Sequence, residues 1–426
     1  MFRTLIRAAF AAALLGLPAS AQAQGRLVIV GGGLQDDNAQ VYGAFLEAVN
    51  TRAEARIAVI AGASGSPATS GGRMAEVFAA HGFDADRVNL VRLAVMDDRD
   101  TPADESRWDR GAWSDEQVAV IEAADAIWFT GGDQMRLTRL LLQDDGTDTP
   151  MLTAIRQRHA QGATLGGTSA GAAIMSARMI QRGDTLTTLV EPVLDAHASE
   201  DKMESGRLSL GQGLGFFPLG LVDQHFEERA RLGRLARALV ETGAAQGFGI
   251  DEDTALVVDP ASSAFWIAGA GGVSWVDASD AHSGETSGRF GVEGLRVSYL
   301  SAGDRVDWDA GRVSIPDYKS ATVGNEYFRT PVASGGGMAL PPAGLPEVAG
   351  EGLVDNSASS AVERVSFAAD GRAVIYRFSQ TADSQGYWGR DSEGEARYSI
   401  LRVGLDILPA HVAVSVISSE QGQAND

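Results

Sequence analysis

Gly167-Thr168-Ser169-Ala170-Gly171 sets a serine among residues with almost no side chain. A serine presented at a sharp strand-to-helix turn needs small neighbours, because the backbone there is strained, and G-x-S-x-G is the resulting pattern. Gly166, Ala172 and Ala173 extend the small run. Such a turn exposes the Ser169 hydroxyl and aims the Ala170 N–H where an oxyanion would form. The competing reading is a buried, hydrogen-bonded serine in a Gly/Ala-rich turn. A nucleophilic serine also needs a base within hydrogen-bond reach, usually histidine. His225 follows the apolar run from Phe216 to Val222, so it stands at or just past a strand end, with polar neighbours Asp223 and Gln224. His81, His159 and His411 read as structural, while His197 and His282 lie in loose acidic segments. Asp184, which follows Gly183 between the serine and the histidine, is the first choice for the acid that orients the base. Glu191 is the second choice and Glu252, in Gly249-Ile250-Asp251-Glu252-Asp253, the third.

The elements that must position these groups are legible as short apolar runs alternating with amphipathic stretches. Leu27–Val30, Ile57–Ala61, Val88–Leu93, Ala126–Phe129 and Ala163–Leu165 read as buried strands. Ala39–Val49, Arg73–Ala80, Ser114–Glu122, Gln134–Leu142 and Pro150–Gln161 carry apolar residues at helical spacing. Ser114-Asp115-Glu116-Gln117 is a capping box. This alternation predicts a parallel sheet with helices on both faces, its functional groups gathered at the carboxyl ends of the strands. Gly31-Gly32-Gly33 lacks the partners of a phosphate loop and reads as a tight turn. Further on, Gly249–Asp253, Ala255–Val258, Ala264–Ile267 and Val273–Asp277 read as strands. Residues 318–361, with Gly335-Gly336-Gly337 and Pro341-Pro342, read as a loose linker or long loop. Residues 362–426 read as a small β-rich appendage, with Asp370-Gly371 as a hairpin turn.

Composition narrows the classes. With 44% apolar and 21% charged residues, the chain of 426 is that of an ordinary globular protein. A net charge of −21 disfavours nucleic acid and anionic membranes. There are no cysteines, which excludes disulfides, cysteine nucleophiles and thiolate metal sites. None of the six histidines is spaced i, i+4 from another, so a histidine-dominated metal site is not expected. Arg3, Arg7, the apolar stretch Ala8 to Leu17 and Ala21-Gln22-Ala23 predict an export signal over 1–23. The mature protein is then expected in the periplasm or outside the cell, without stable membrane insertion.

Four blocks, in this order, resemble the cyanophycinase-like branch of the S51 serine peptidases. They are Phe129-Thr130-Gly131-Gly132-Asp133-Gln134, Gly167-Thr168-Ser169-Ala170-Gly171-Ala172, Asp223-Gln224-His225-Phe226 with the following arginines, and Gly249-Ile250-Asp251-Glu252-Asp253-Thr254-Ala255. The resemblance spans residues 26 to 315, taken here as the body of a catalytic domain over 24–317. It implies a class I glutamine-amidotransferase-like (flavodoxin-like) α/β fold, mostly parallel, and a Ser–His–acid triad without a cofactor. It also implies cleavage of aspartyl peptides, with cyanophycin or β-aspartyl-arginine as the type substrate. Ser169 and His225 carry over directly. Asp184 falls in register with the acid of the related aspartyl dipeptidases; cyanophycinases tend to have glutamate a few positions on, where Thr187 stands. Gly131-Gly132 resembles the turn whose second glycine, Gly132, supplies the other oxyanion amide. The implied substrate-binding residues are Gln134, Asp223, Gln224, Arg229, Arg231 and Arg234, since guanidinium groups bind carboxylates bidentately. Without the family, the arginines would read as a solvated helix face, with Glu227 pairing Arg231. Ala230 replaces a glycine usual there. The relatives imply a homodimer, and an arginine-bearing aspartyl peptide suits the acidic surface. An α/β-hydrolase esterase and an inactive exported binding protein on the same fold remain as alternatives.

Overall fold

The computed structural model describes residues 24–51, 54–194, 206–286, 288–332, 335–341 and 344–415. The expected export segment and His197 lie outside them. Five parallel strands come first: β1 (Leu27–Val30), β2 (Ile57–Ile60), β3 (Val88–Val91), β4 (Ala126–Phe129) and β5 (Thr164–Thr168). A ribbon follows, β6 (Arg178–Arg182) with β7 (Ser209–Gln212), then β8 (Leu221–Asp223) and β9 (Gln246–Ile250). Next are β10 (Thr254–Asp259), β11 (Ala264–Gly269), β12 (Gly272–Asp277), β13 (His282–Thr286) and β14 (Arg289–Ser301). The chain ends with β15 (Arg305–Asp307), β16 (Arg312–Ser314), β17 (Lys319–Ala321), β18 (Ala361–Phe367), β19 (Arg372–Ser379), β20 (Gln385–Arg390) and β21 (Ala396–His411).

Two large sheets result. The first has the order β16-β15-β11-β10-β1-β5-β4-β2-β3, parallel from β1 to β3 and antiparallel on the β10 side. β1, β2 and β4 read as unbroken apolar runs because both faces are covered. Leu27 and Ile29 face one core with Ile60, Phe129 and Leu152, while Val28 and Val30 face another with Phe45, Phe78 and Trp128. The architecture is therefore mixed α/β. The helices Ala39–Val49 and Pro150–Ala160 lie where the periodicity predicts. Ser114 caps Asp115–Glu122 by accepting the Gln117 N–H.

The second sheet follows the order β17-β20-β21-β14-β12-β9-β8, with β13, β18 and β19 attached. Among the described residues its strands pair antiparallel except for β8 with β9, which are parallel. Here the tail departs from expectation. Residues 318–361 contain β17 and the helix Pro346–Val354 rather than a loose linker throughout. The strands beyond are not set apart: β21 pairs with β14 between Ile400 and Ile407 and also with β19 and β20. The tail thus completes the sheet that holds β8 and β9. A buried cluster ties it down, with Lys319 Nζ donating to Asp304 Oδ1 at 2.7 Å, Ser301 Oγ at 2.8 Å and Ser399 Oγ at 2.8 Å. No helix among the described residues is long and apolar enough to cross a membrane.

Candidate active site

Ser169 is the first residue past β5 and stands at φ 55, ψ −107, a region costly for a side chain. The turn is over-determined. The Ser169 N–H donates to Val30 O at 3.0 Å, and Ala172 and Ala173 donate back to Ser169 O. Glycine is required at 171, where a Cβ would lie 2.5 Å from Phe129 O. The Gly131-Gly132 turn after β4 abuts the serine: a Cβ on Gly131 would sit 3.3 Å from Ser169 Cβ.

The histidine and an acid come from the other sheet. β8 and β9 are adjacent and parallel, and His225 and Glu252 are each the second residue beyond their ends. Ser169 Oγ lies 2.9 Å from His225 Nε2, and His225 Nδ1 is hydrogen-bonded to Glu252 Oε1. The glycine turn after β1 joins the two arms. Gly31 O accepts the His225 N–H at 2.6 Å, and Gly32 O accepts the Asp253 N–H at 2.8 Å. Gly32 has φ +108, and a Cβ there would meet the imidazole at 2.3 Å. Burial, aided by the Arg229 and Arg231 guanidiniums, holds His225 below the usual histidine range, while its bond to Glu252 pulls upward. A neutral imidazole between a hydroxyl and a carboxylate can take the hydroxyl proton as the oxygen attacks.

Several expected site residues are engaged elsewhere. Asp184 is the cap of the helix Thr185–Val190, accepting the Thr187 N–H at 2.8 Å and the Gly206 N–H at 2.7 Å. It does not orient His225; an acid just past a glycine is also what a helix cap looks like in sequence. Glu191 pairs with Arg372 at 2.7 Å. Glu252, the third choice, holds the place by the histidine. Arg234 is buried and donates from Nε to Asp223 Oδ2 at 2.9 Å and from Nη1 to Gly183 O at 2.8 Å. Arg231 Nη1 bonds Gln224 O and lies 3.5 Å from Asp223 Oδ1. Burial alone would raise the Asp223 carboxyl, but the Arg234 and Arg231 guanidiniums outweigh it and hold it low. These three form an internal ion cluster beneath the histidine loop, which corrects their expected exposure to substrate. Gln134 likewise spends its amide on Gln181 O at 2.8 Å and Ile180 O at 3.3 Å. Gln224 differs: its Oε1 is buried without a hydrogen-bond partner among the described residues. Arg229 is half-buried in the turn before the helix Leu232–Thr242. Glu227 turns to the backbone of Leu345, not to Arg231.

The family model of peptidase family S51 matches residues 27–263, a span that contains Ser169, His225 and Glu252. The chain belongs to peptidase family S51. This S51 chain is 34% identical over 294 residues to a cyanophycinase of Trichormus variabilis, covering 67% of this chain and 86% of that protein. A cyanophycinase of Geminocystis herdmanii is 35% identical over 259 residues, covering 59% of this chain and 82% of that one. A solved peptidase from an acI-B1 Actinobacterium is more distant, at 19% identity and a TM-score of 0.45 over 67% of this chain. As an S51 member the protein is a hydrolase of the serine-peptidase type. Among the described residues no group of histidine and acidic side chains is arranged to hold a metal ion.

Proposed function

We propose that this S51 peptidase is exported and hydrolyses aspartyl peptide or isopeptide bonds of the cyanophycin type. Ser169 is the nucleophile, His225 the general base and Glu252 the acid that orients it. The observation that carries the reading is the hydrogen-bonded chain from Ser169 through His225 to Glu252, inside the family-matched region. Ser169 Oγ adds to the scissile carbonyl as His225 Nε2 takes its proton. The oxyanion is held by the N–H groups of Gly132 and Ala170, for which no backbone acceptor is found among the described residues. Collapse expels the amine, which receives the proton from His225, and water then repeats the sequence on the acyl-enzyme. Glu252 fixes the tautomer with Nδ1–H toward itself. Arg229, half-buried beside the histidine, is the group we assign to reading the substrate's free carboxylate. The test compares the purified protein with its Ser169→Ala variant on cyanophycin and β-aspartyl-arginine, following release of free amine. Release by the wild type alone supports the assignment; release by neither folded protein sinks the substrate class.

A further inference from the structure

The loop that carries His225 is strained at both ends, with φ 46 at His225 and φ 50 at Ala230. Backbone in such regions persists only where the surroundings over-determine it. Within the family-matched region the supports include the His225 N–H on Gly31 O, the Thr185 hydroxyl on Ala230 O at 2.6 Å, the Phe226 N–H on Ile250 O at 3.1 Å and the Glu227 N–H on Asp251 Oδ1 at 3.2 Å. Asp251 immediately precedes Glu252 and is itself buried. Its Oδ2 accepts the Gly272 N–H at 3.0 Å and the Tyr299 hydroxyl at 3.1 Å. One side-chain anchor reaches the loop from far outside that region: Glu227 Oε1 accepts the Leu345 N–H at 2.6 Å. Leu345 caps the helix Pro346–Val354 of the tail. Together with Met338 it lines a small cavity whose other walls include Phe226, Glu227 and Ala230. The helix packs in turn on β21, β18 and β19, so the anchor is backed by the tail strands.

We propose that the tail works as a clamp on the catalytic loop: the Leu345 N–H holds Glu227, and Glu227 and Asp251 together keep His225 aligned on Ser169. Glu227 and Asp251 are then positioning residues rather than catalytic ones. The proposal rests on reading Ser169, His225 and Glu252 as the catalytic set, so its readout must depend on that set and not on the choice of peptide. Covalent labelling of Ser169 by a fluorophosphonate meets that need.

The experiment measures the second-order labelling rate in the full-length protein, alongside thermal unfolding. Glu227→Ala removes the acceptor, Glu227→Gln keeps one, and Ser399→Ala weakens the tail's buried lysine cluster without touching the loop. The clamp predicts that Glu227→Ala labels at least ~10-fold more slowly, since small misplacements of a reacting group carry costs of that order. Glu227→Gln should recover most of the wild-type rate, and Ser399→Ala should lower the unfolding temperature while leaving labelling unchanged. If Glu227→Ala does not fold, Leu345→Pro serves instead: φ −63 at this position suits the ring, and the donor N–H is lost together with part of the buried leucine side chain. Wild-type labelling in Glu227→Ala or in a folded Leu345→Pro would overturn the clamp. So would a loss in Ser399→Ala that tracks destabilisation equally. A wild type that labels no faster than Ser169→Ala would refute the catalytic set itself and the clamp with it, whereas labelling without cyanophycin cleavage would refute only the substrate class.

Discussion

Replacing Glu252 by glutamine separates the acid assignment from its rivals. The amide keeps the shape of the side chain but presents either an acceptor or a donor to His225 Nδ1, so the imidazole is no longer held in one tautomer. In a triad whose acid is fully buried, the corresponding loss is ~10⁴ in kcat. The Glu252 side chain is 36% exposed, so water screens part of its charge. A loss of ~10²–10³ is therefore expected, equivalent to about 3–4 kcal/mol of transition-state stabilisation. Asp184→Ala, by contrast, removes a helix cap, at about 1 kcal/mol of stability, and should leave kcat within ~3-fold. The assay is amine release from cyanophycin under saturating substrate, with fluorophosphonate labelling as the substrate-independent check. The pH profile adds a second arm. In the wild type the acid limb of kcat/KM should fall below the ordinary histidine range, because burial holds His225 down. Since the Glu252 bond pulls the imidazole upward, its removal should move that limb lower still. Near-normal kcat in folded Glu252→Gln, with collapse in Asp184→Ala, would refute the reasoning outright.

Three further outcomes are expected. Gly32→Ala places a methyl group against the His225 ring, so kcat should drop by ~10² or more with the fold retained by circular dichroism; unaltered kcat would mean the ring is not held there. Arg234→Met leaves the buried Asp223 carboxylate only its longer contact with Arg231 and should cost about 3 kcal/mol in urea unfolding, and a loss under 1 kcal/mol would show that water reaches the cluster. Burial raises the Glu227 carboxyl from 4.5 to about 7, so the folded chain keeps a proton that the unfolded chain releases. That stability is fully present below pH 4.5 and is lost as pH rises toward 7. Urea midpoints across that window should fall in the wild type and stay flatter in Glu227→Gln; parallel slopes would place the proton elsewhere.

The parallel half of the first sheet is legible because strands covered on both faces are unbroken apolar runs. Leu27–Val30 and Ala126–Phe129 are found where the sequence predicts them. The serine turn is equally local, since its small residues answer steric demands within a few positions. What local pattern does not carry is pairing between distant segments. Nothing in residues 396–411 says that they will lie against 289–301, so the tail reads as a separate piece. The acid was hidden by a boundary. Reading 249–253 as strand places Glu252 inside it, whereas β9 stops at Ile250 and leaves Glu252 two residues beyond the end. His225 stands two residues beyond β8, and that matched offset on two parallel strands was the available signal. The helix Pro67–Ala80 begins earlier than the periodicity suggests, because its first turns carry Thr69, Ser70 and two glycines rather than an apolar stripe.

The place of β21 also sets an order of events for a chain emerging from its N-terminus. The strands that frame Ser169, β1 to β5 with β10 and β11, are all out once residue 269 has appeared. The sheet bearing His225 and Glu252 then still lacks an interior strand, because β21, between β14 and β20, spans residues 396–411. Nucleophile and base thus come from layers whose last strands lie far apart along the chain. Every strand around the serine precedes the one that fills in the sheet behind its base and acid.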